Sequence, residues 1–314
     1  MFAILNLVIP IFIIIGIGYF AIARRILSQT ALRGMGRFVV TFALPALIFQ
    51  AIISQPIGAI MNPVYFLGYA GGSLISFFIG FAIAKLRRQT SVAAVVNGLG
   101  QSASNTGFIG YPLLLTLIGE KAGIFFSLNV LVENLLILPL FLILGDSFAA
   151  KDGKRWQLIK TILGNLLKNP MILAMLAGLL CALFGLGDSL PYALKKAVNM
   201  LANAGGAIAL FVIGGSLVGL KIRGSMPDII QITLGKLIIM PLAVFALLRL
   251  FGAGGDVMLA GVLLAGAPMA SMYPLMGARY GHQRRAAAAL LATTVLSLLS
   301  TSTIIYCFQH LVPQ

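Results

Sequence analysis

Ten apolar stretches, each long enough to cross a bilayer as a helix, are the feature that most limits what this 314-residue chain can become. They run from Ala3 to Ala23, Gly34 to Ser54, Pro63 to Ala84, Val92 to Ile118, Ala122 to Leu144, Pro170 to Gly187, Ala197 to Leu220, Ile229 to Leu250, Val257 to Ala278 and Ala286 to His310. About 20 helical residues span ~30 Å of hydrocarbon, and within that layer a helix satisfies all its backbone polar groups internally. Composition removes the water-soluble alternative. Apolar residues make up 60% and charged ones 9%, against roughly 45–50% and 25% in soluble domains. The expectation is an all-α integral membrane protein with the lipid bilayer as its solvent. The opening MFAILNLVIPIFIIIGIGYF has no basic residue before it and no small-residue cleavage site, so it reads as a retained span.

The formal net charge is +15, which in a soluble protein would suggest nucleic acid. Here the basic residues mark topology. Loops after odd-numbered stretches hold 17 Lys and Arg, while loops after even-numbered ones hold four, Lys121, Lys195, Lys196 and Arg249. The positive-inside bias therefore puts odd loops in the cytoplasm and both termini outside, for a multi-pass protein of the cell (inner) membrane. No nucleic-acid partner is expected.

The longest hydrophilic stretch divides the chain into a first five-helix unit, 1–144, a cytoplasmic linker, 145–169, and a second five-helix unit, 170–314. Because five is odd, the second unit enters the membrane from the opposite side, the layout of an inverted repeat. An offset of 162 positions lays Tyr111, Pro112, Leu113 and Gly119 on Tyr273, Pro274, Leu275 and Gly281. Both YPL copies interrupt the fourth span of their unit. A proline removes a donor and nearby glycines ease unwinding, so spans four and nine are expected to be broken. Asn105 lies ~21 Å in from Ser91, and Ser271 a similar depth from Asp256 on the other face, at ~1.5 Å per residue. Irregular backbone at that depth suits a cavity, and half-helix N-termini carry partial positive charge that favours an anion. The plainer reading is two kinked, packed helices.

Two ionisable residues lie inside spans. Glu133 is ~18 Å from Lys121 along its helix and shares a face with Asn129; Lys236 is ~12 Å past Asp228 and is expected to snorkel toward the cytoplasm. Intramembrane charge costs about 2.5–3.5 kcal/mol even on a lenient scale. Glu133 is thus a candidate for proton coupling together with Lys236, for an ion pair with it, or for a neutral hydrogen-bonded acid. GLGQSA at 98–103 matches a dinucleotide string but has no preceding strand. The GxxxG runs 68–72, 215–219 and 277–281 read as close helix packing. Cys181 and Cys307 read as buried thiols, and His282 and His310 are isolated. No metal site, cofactor, nucleophile–base pair or enzyme activity is expected.

These residues resemble the auxin efflux carrier family, whose prokaryotic members are often assigned as malonate or malate carriers. NTGFIGYPLL at 105–114, RFVVTFALPALIF at 37–49, LANAGGAIALFVIGGSL at 201–217 and Pro268 carry the likeness, in family order over nearly the whole chain. Plant members have proline where Ser104 stands, and a long loop after the fifth span. The resemblance implies ten helices in two inverted repeats, scaffold and transport domains each built from both, and helices four and nine crossing at the substrate site. Asn105 and Pro268 belong at that crossing, with Glu133 facing it. The expected substrate-binding set is Asn105, Gly107, Tyr111, Pro112, Pro268, Ser271, Tyr273, Asn129 and Glu133. The expected function is secondary transport of a small organic anion such as malonate by alternating access, with proton or sodium coupling and uniport both open and a homodimer compatible with the family. The alternative is a sodium- or proton-coupled symporter of the bile-acid-transporter type.

Overall fold

The structure, a computed structural model, describes residues 2–54, 62–149, 164, 167–187, 189–219 and 226–310. Among these residues it is helical throughout, with one isolated β-bridge and no strand. The helices are α1 (Phe2–Ala23), α2 (Gln29–Ile53), α3 (Pro63–Leu86), α4 (Ser91–Ser102), α5 (106–118), α6 (122–148), α7 (Pro170–Leu183), α8 (Tyr192–Ser216), α9 (Met226–Leu250), α10 (Gly255–Gly266), α11 (Tyr273–Ala278) and α12 (Gln283–His310). Six of the helical runs are long and apolar enough to cross a membrane unaided. Large side chains such as Ile13, Leu67, Leu242 and Leu299 are more than half exposed, as suits a surface facing lipid rather than water.

Start signals in the sequence act as capping physics requires. Ser28, Asn62, Thr90 and Asn169 each accept a backbone N–H from the first turn of the helix they precede, and Pro63 and Pro170 occupy first positions where no donor is lost. Prolines inside helices leave a different mark. Pro45, Pro112, Pro139 and Pro241 each follow a five-residue wide turn, at Val39–Ala43, Thr106–Gly110, Glu133–Ile137 and Gly235–Ile239, closed by the N–H of the residue before the proline. One extra residue in the turn relieves the clash of the ring with the preceding carbonyl. Glu133 and Lys236 both sit in such turns.

Packing sorts the helices into two groups. In the first, α1 lies along α8, and α2 along α7 and α8; in the second, α3 packs on α4 and α9, α9 on α10 and α12, and α11 on α12. Charge follows the same division. Arg87–Asp228 (2.7 Å), Lys121–Asp256 (2.8 Å) and Asp146–Arg279 (2.8 Å) each join the 85–148 stretch to the 226–285 stretch. A fourth, Arg285–Asp228 (3.1 Å), lies within the second group.

Glycines set the closest approaches. A Cβ on Gly68 or Gly72 would fall 2.4 or 2.5 Å from Leu248 or Val244 of α9, so this GxxxG run is indeed helix packing. In the α1–α8 pair, a Cβ on Gly214 would lie 1.8 Å from the Ile15 carbonyl oxygen, which no rotamer change can relieve. Gly214→Ala is expected to cost at least the ~1–3 kcal/mol of an overpacked core. Gly16→Ala, with nothing within 4 Å of the new methyl group, is the control. Thermal unfolding of the two variants by circular dichroism checks this, and equal stability would contradict the close contact.

Three sequence expectations need correction. Helix α6 runs to Phe148, so the first residues of the expected linker are helical because Asp146 is held by Arg279 and Tyr280; most of the rest of that linker, 150–163, lies outside the described residues. Helix α8 begins at Tyr192 rather than Ala197, taking Lys195 and Lys196 into its first turns. Cys181 and Cys307 are partly exposed rather than buried, on the apolar helices α7 and α12.

Candidate functional site

Both YPL spans are interrupted, and the interruptions meet. Helix α4 stops at Ser102 and the chain runs extended through Ala103 and Ser104 before α5; α10 stops at Gly266 and extends from Ala267. The two extended pieces pair antiparallel at Ser104 and Met269. The Asn105 N–H donates to the Pro268 carbonyl (2.7 Å) and the Ala270 N–H to the Ala103 carbonyl (3.2 Å). Backbone groups freed by the breaks therefore satisfy one another at membrane depth.

Asn105 caps the turn that follows by accepting from the Phe108 N–H (3.3 Å), and its Nδ2 donates to Ser271 Oγ (2.8 Å) across the crossing. Asn105 is 4% exposed, while Ser271 is partly open. The Asn105–Ser271 pair is where the two interrupted spans present joined polar side chains.

Behind the crossing, Ser104 is a hub. Its N–H donates to Glu133 Oε1 (3.1 Å), and its Oγ accepts from Lys236 Nζ (2.8 Å) and from the Tyr69 hydroxyl (3.2 Å). Lys236 also donates to the Ala265 carbonyl and approaches Met240 Sδ at 3.1 Å. Three acceptors around the amine match the three N–H donors of an ammonium group. Lys236 is fully buried, so the expected snorkelling is wrong. Its side chain turns into the bundle because the wide turn before Pro241 aims it at Ser104 and the end of α10. Glu133 and Lys236 make no direct pair within 4 Å; each binds Ser104 instead.

The other expected site residues separate. Asn129 is fully buried one turn before Glu133 and accepts from the Tyr65 hydroxyl (2.9 Å). Tyr111 packs its ring 5.6 Å from that of Phe126, Gly107 lies against Leu44 and Phe126, and Pro112 faces Gly206 of α8. Tyr273 is 1% exposed and its hydroxyl donates to the Val96 carbonyl of α4 (3.1 Å). Asn105, Pro268, Ser271, Glu133 and Lys236 thus gather at the crossing, while Gly107, Tyr111, Pro112 and Tyr273 pack its walls.

Ser104, Tyr65 and Tyr69 escaped the sequence reading. Tyr65, Tyr69, Ser73 and Ser76 recur at helical spacing along one face of α3. That stripe of hydroxyls in an apolar span was the available signal.

Comparison with known proteins gives the family of the chain. The family model described as "Membrane transport protein" matches residues 3–305. The chain belongs to this family. It is the family of the auxin efflux carriers, which the sequence motifs resembled. A protein of Rhizobium meliloti (strain 1021) named "Putative malonate transporter" is 30% identical over 309 residues, covering 96% of this chain and 94% of that one. The "Uncharacterized transporter YfdV" of Escherichia coli (strain K12) is 25% identical over 304 residues, 94% of each chain. The mouse "Lysosomal cholesterol signaling protein" is 26% identical over 255 residues, 76% of this chain and 29% of that one. As a member of the family, the chain is a multi-pass membrane protein that handles a small-molecule substrate.

Proposed function

We propose that this family member is a secondary carrier that moves a small organic anion, a malonate-like carboxylate, by alternating access at the crossing of its fourth and ninth spans. The observation that carries the reading is the Asn105–Ser271 contact in front of the buried Lys236–Ser104–Glu133 group. First-turn amides of α5 favour negative charge beside Asn105, and the Lys236 ammonium adds positive charge behind it. The printed name of the Rhizobium relative supports malonate as the first anion to try.

In this reading α4–α5 and α10–α11 are the broken spans of two inverted five-span units, 1–144 and 170–314. Helices α1, α2, α7 and α8 form a scaffold and the remainder a transport body, with both termini outside the cell's inner membrane. The three ion pairs that tie the 85–148 stretch to the 226–285 stretch support its movement as one piece. Glu133 carries the coupling proton, and Lys236 balances its charge through Ser104. The homodimer remains part of the proposal.

Proteoliposomes containing the purified protein test the function. Uptake of radiolabelled malonate is expected to rise with an imposed proton gradient and to be indifferent to sodium. Glu133→Gln is expected to abolish the response to the gradient while leaving malonate binding. Uptake driven by sodium alone would favour the bile-acid-type symporter, and absence of malonate uptake with uptake of another anion would correct the substrate.

A further inference from the structure

Of the seven buried side-chain polar atoms without a hydrogen-bond partner among the described residues, four lie at successive depths between α3, α4, α9 and α12. They are Arg285 Nε, Asn97 Oδ1, Gln101 Oε1 and Ser73 Oγ. The other three are Asn129 Nδ2, Thr233 Oγ1 and Ser302 Oγ. Ala93, Asn97 and Gln101 follow one another at four-residue spacing on α4, and Tyr69, Ser73, Ser76 and Gly80 share a face of α3. Direct bonds tie the two stripes to α9. Ser76 Oγ donates to the Gln101 carbonyl (3.0 Å), Gln101 Nε2 to the Gln231 carbonyl (3.3 Å) and Gln231 Nε2 to the Gly80 carbonyl (2.9 Å).

The stripe has two polar ends. Toward the cytoplasm it reaches Asp228, which accepts from Arg87 (2.7 Å), Arg285 (3.1 Å) and Gln89 (2.6 Å), while Gln89 Oε1 in turn accepts from Asn97 (3.3 Å). Arg87, with 31% of its side chain exposed, opens this end to solvent. At the inner end the Gln101 carboxamide presses on Gly235, the residue before Lys236, and Tyr69 reaches Ser104. Gln101 is ~15 Å from the start of α4, so the stripe covers about half the hydrocarbon layer.

An orphaned buried polar atom costs about 1–3 kcal/mol. Four along one set of polar stripes is an arrangement that ordered water relieves, since a buried water takes two to four polar partners. We infer that α3, α4, α9 and α12 enclose a file of bound water running from the Asp228–Arg285–Gln89 cluster to Ser104, and that protons reach Lys236 and Glu133, on either side of Ser104, from the cytoplasm along it, apart from the path of the anion. The proton role rests on the coupling assigned to Glu133 under the proposed function; the water file does not. Facing Glu133 at the inner end are the Ser104 N–H, Lys236 of α9, and Tyr65 and Tyr69 of α3.

Hydroxyl-radical labelling by X-ray radiolysis, read by mass spectrometry, reports water held next to buried side chains. Met240 is fully buried, with its sulfur 3.1 Å from Lys236 Nζ, and Met258 is 2% exposed in α10. In the wild-type protein in nanodiscs Met240 is expected to be oxidised faster than Met258. Gln101→Met, unbranched and of similar length, and independently Asn97→Leu, are expected to remove that excess and to slow the proton-driven component of malonate uptake. Equal, slow labelling of Met240 and Met258 in the wild type overturns the water file, whether or not the protein transports malonate. Fast labelling of Met240 that both variants leave unchanged overturns this route. Labelling lost in either variant, with malonate uptake blind to the proton gradient in the wild type, would retain the file and overturn its proton role.

Discussion

Lys236→Met is expected to destabilise the folded protein by about 3–5 kcal/mol, the range for removing one partner from a buried charged group. The lysine is fully buried, and its amine donates to Ser104 and Ala265 beside Met240. Methionine keeps the length of the chain and discards every donor. The Ala265 carbonyl at the end of α10 and the Ser104 hydroxyl then lose their strongest partner, and Glu133 loses the cation that balances it. Adding Glu133→Gln removes the stranded carboxylate, so the double variant is expected to recover part of the loss. Thermal unfolding in detergent, followed by circular dichroism, measures both. A Lys236→Met protein as stable as wild type would show that the amine is dispensable to the crossing.

The second large effect belongs to Asn105. Its side chain bonds Ser271 across the crossing and caps α5 through Phe108. Losing a cap costs about 0.5–2 kcal/mol of stability, which a membrane bundle of this size withstands. Losing a hydrogen bond to a charged ligand costs about 1.5–3 kcal/mol, or roughly 10- to 100-fold in affinity. Asn105→Ala is therefore expected to fold and to bind a carboxylate anion one to two orders of magnitude more weakly, as titration calorimetry would record. Unchanged affinity in a folded variant would remove Asn105 from the substrate site.

What the sequence made legible was whatever depends on one segment. The apolar stretches, the breaks in the two YPL spans and the place of Glu133 inside its helix follow from spacing along a single segment. Ser104 could not be found that way, because its role comes from three other helices, which bring Glu133, Lys236 and Tyr69 to it. Lys236 failed for a related reason. Distance along the axis from Asp228 allowed snorkelling, but the side chain's direction is set by the wide turn before Pro241. Tyr273 fell into the same gap: its position in the broken span was visible, and its hydroxyl bond to Val96 was not.

Thermal stability of the purified protein against a panel of short mono- and dicarboxylates, auxin and bile acids, with sodium and pH varied, decides whether the crossing holds a small carboxylate. A ligand at 100 times its dissociation constant adds about 2.7 kcal/mol to the folded state. Stabilisation by a short dicarboxylate, absent in Asn105→Ala and independent of sodium, is the result this account expects. Stabilisation by a bile acid with sodium, and by no carboxylate in the panel, would contradict it.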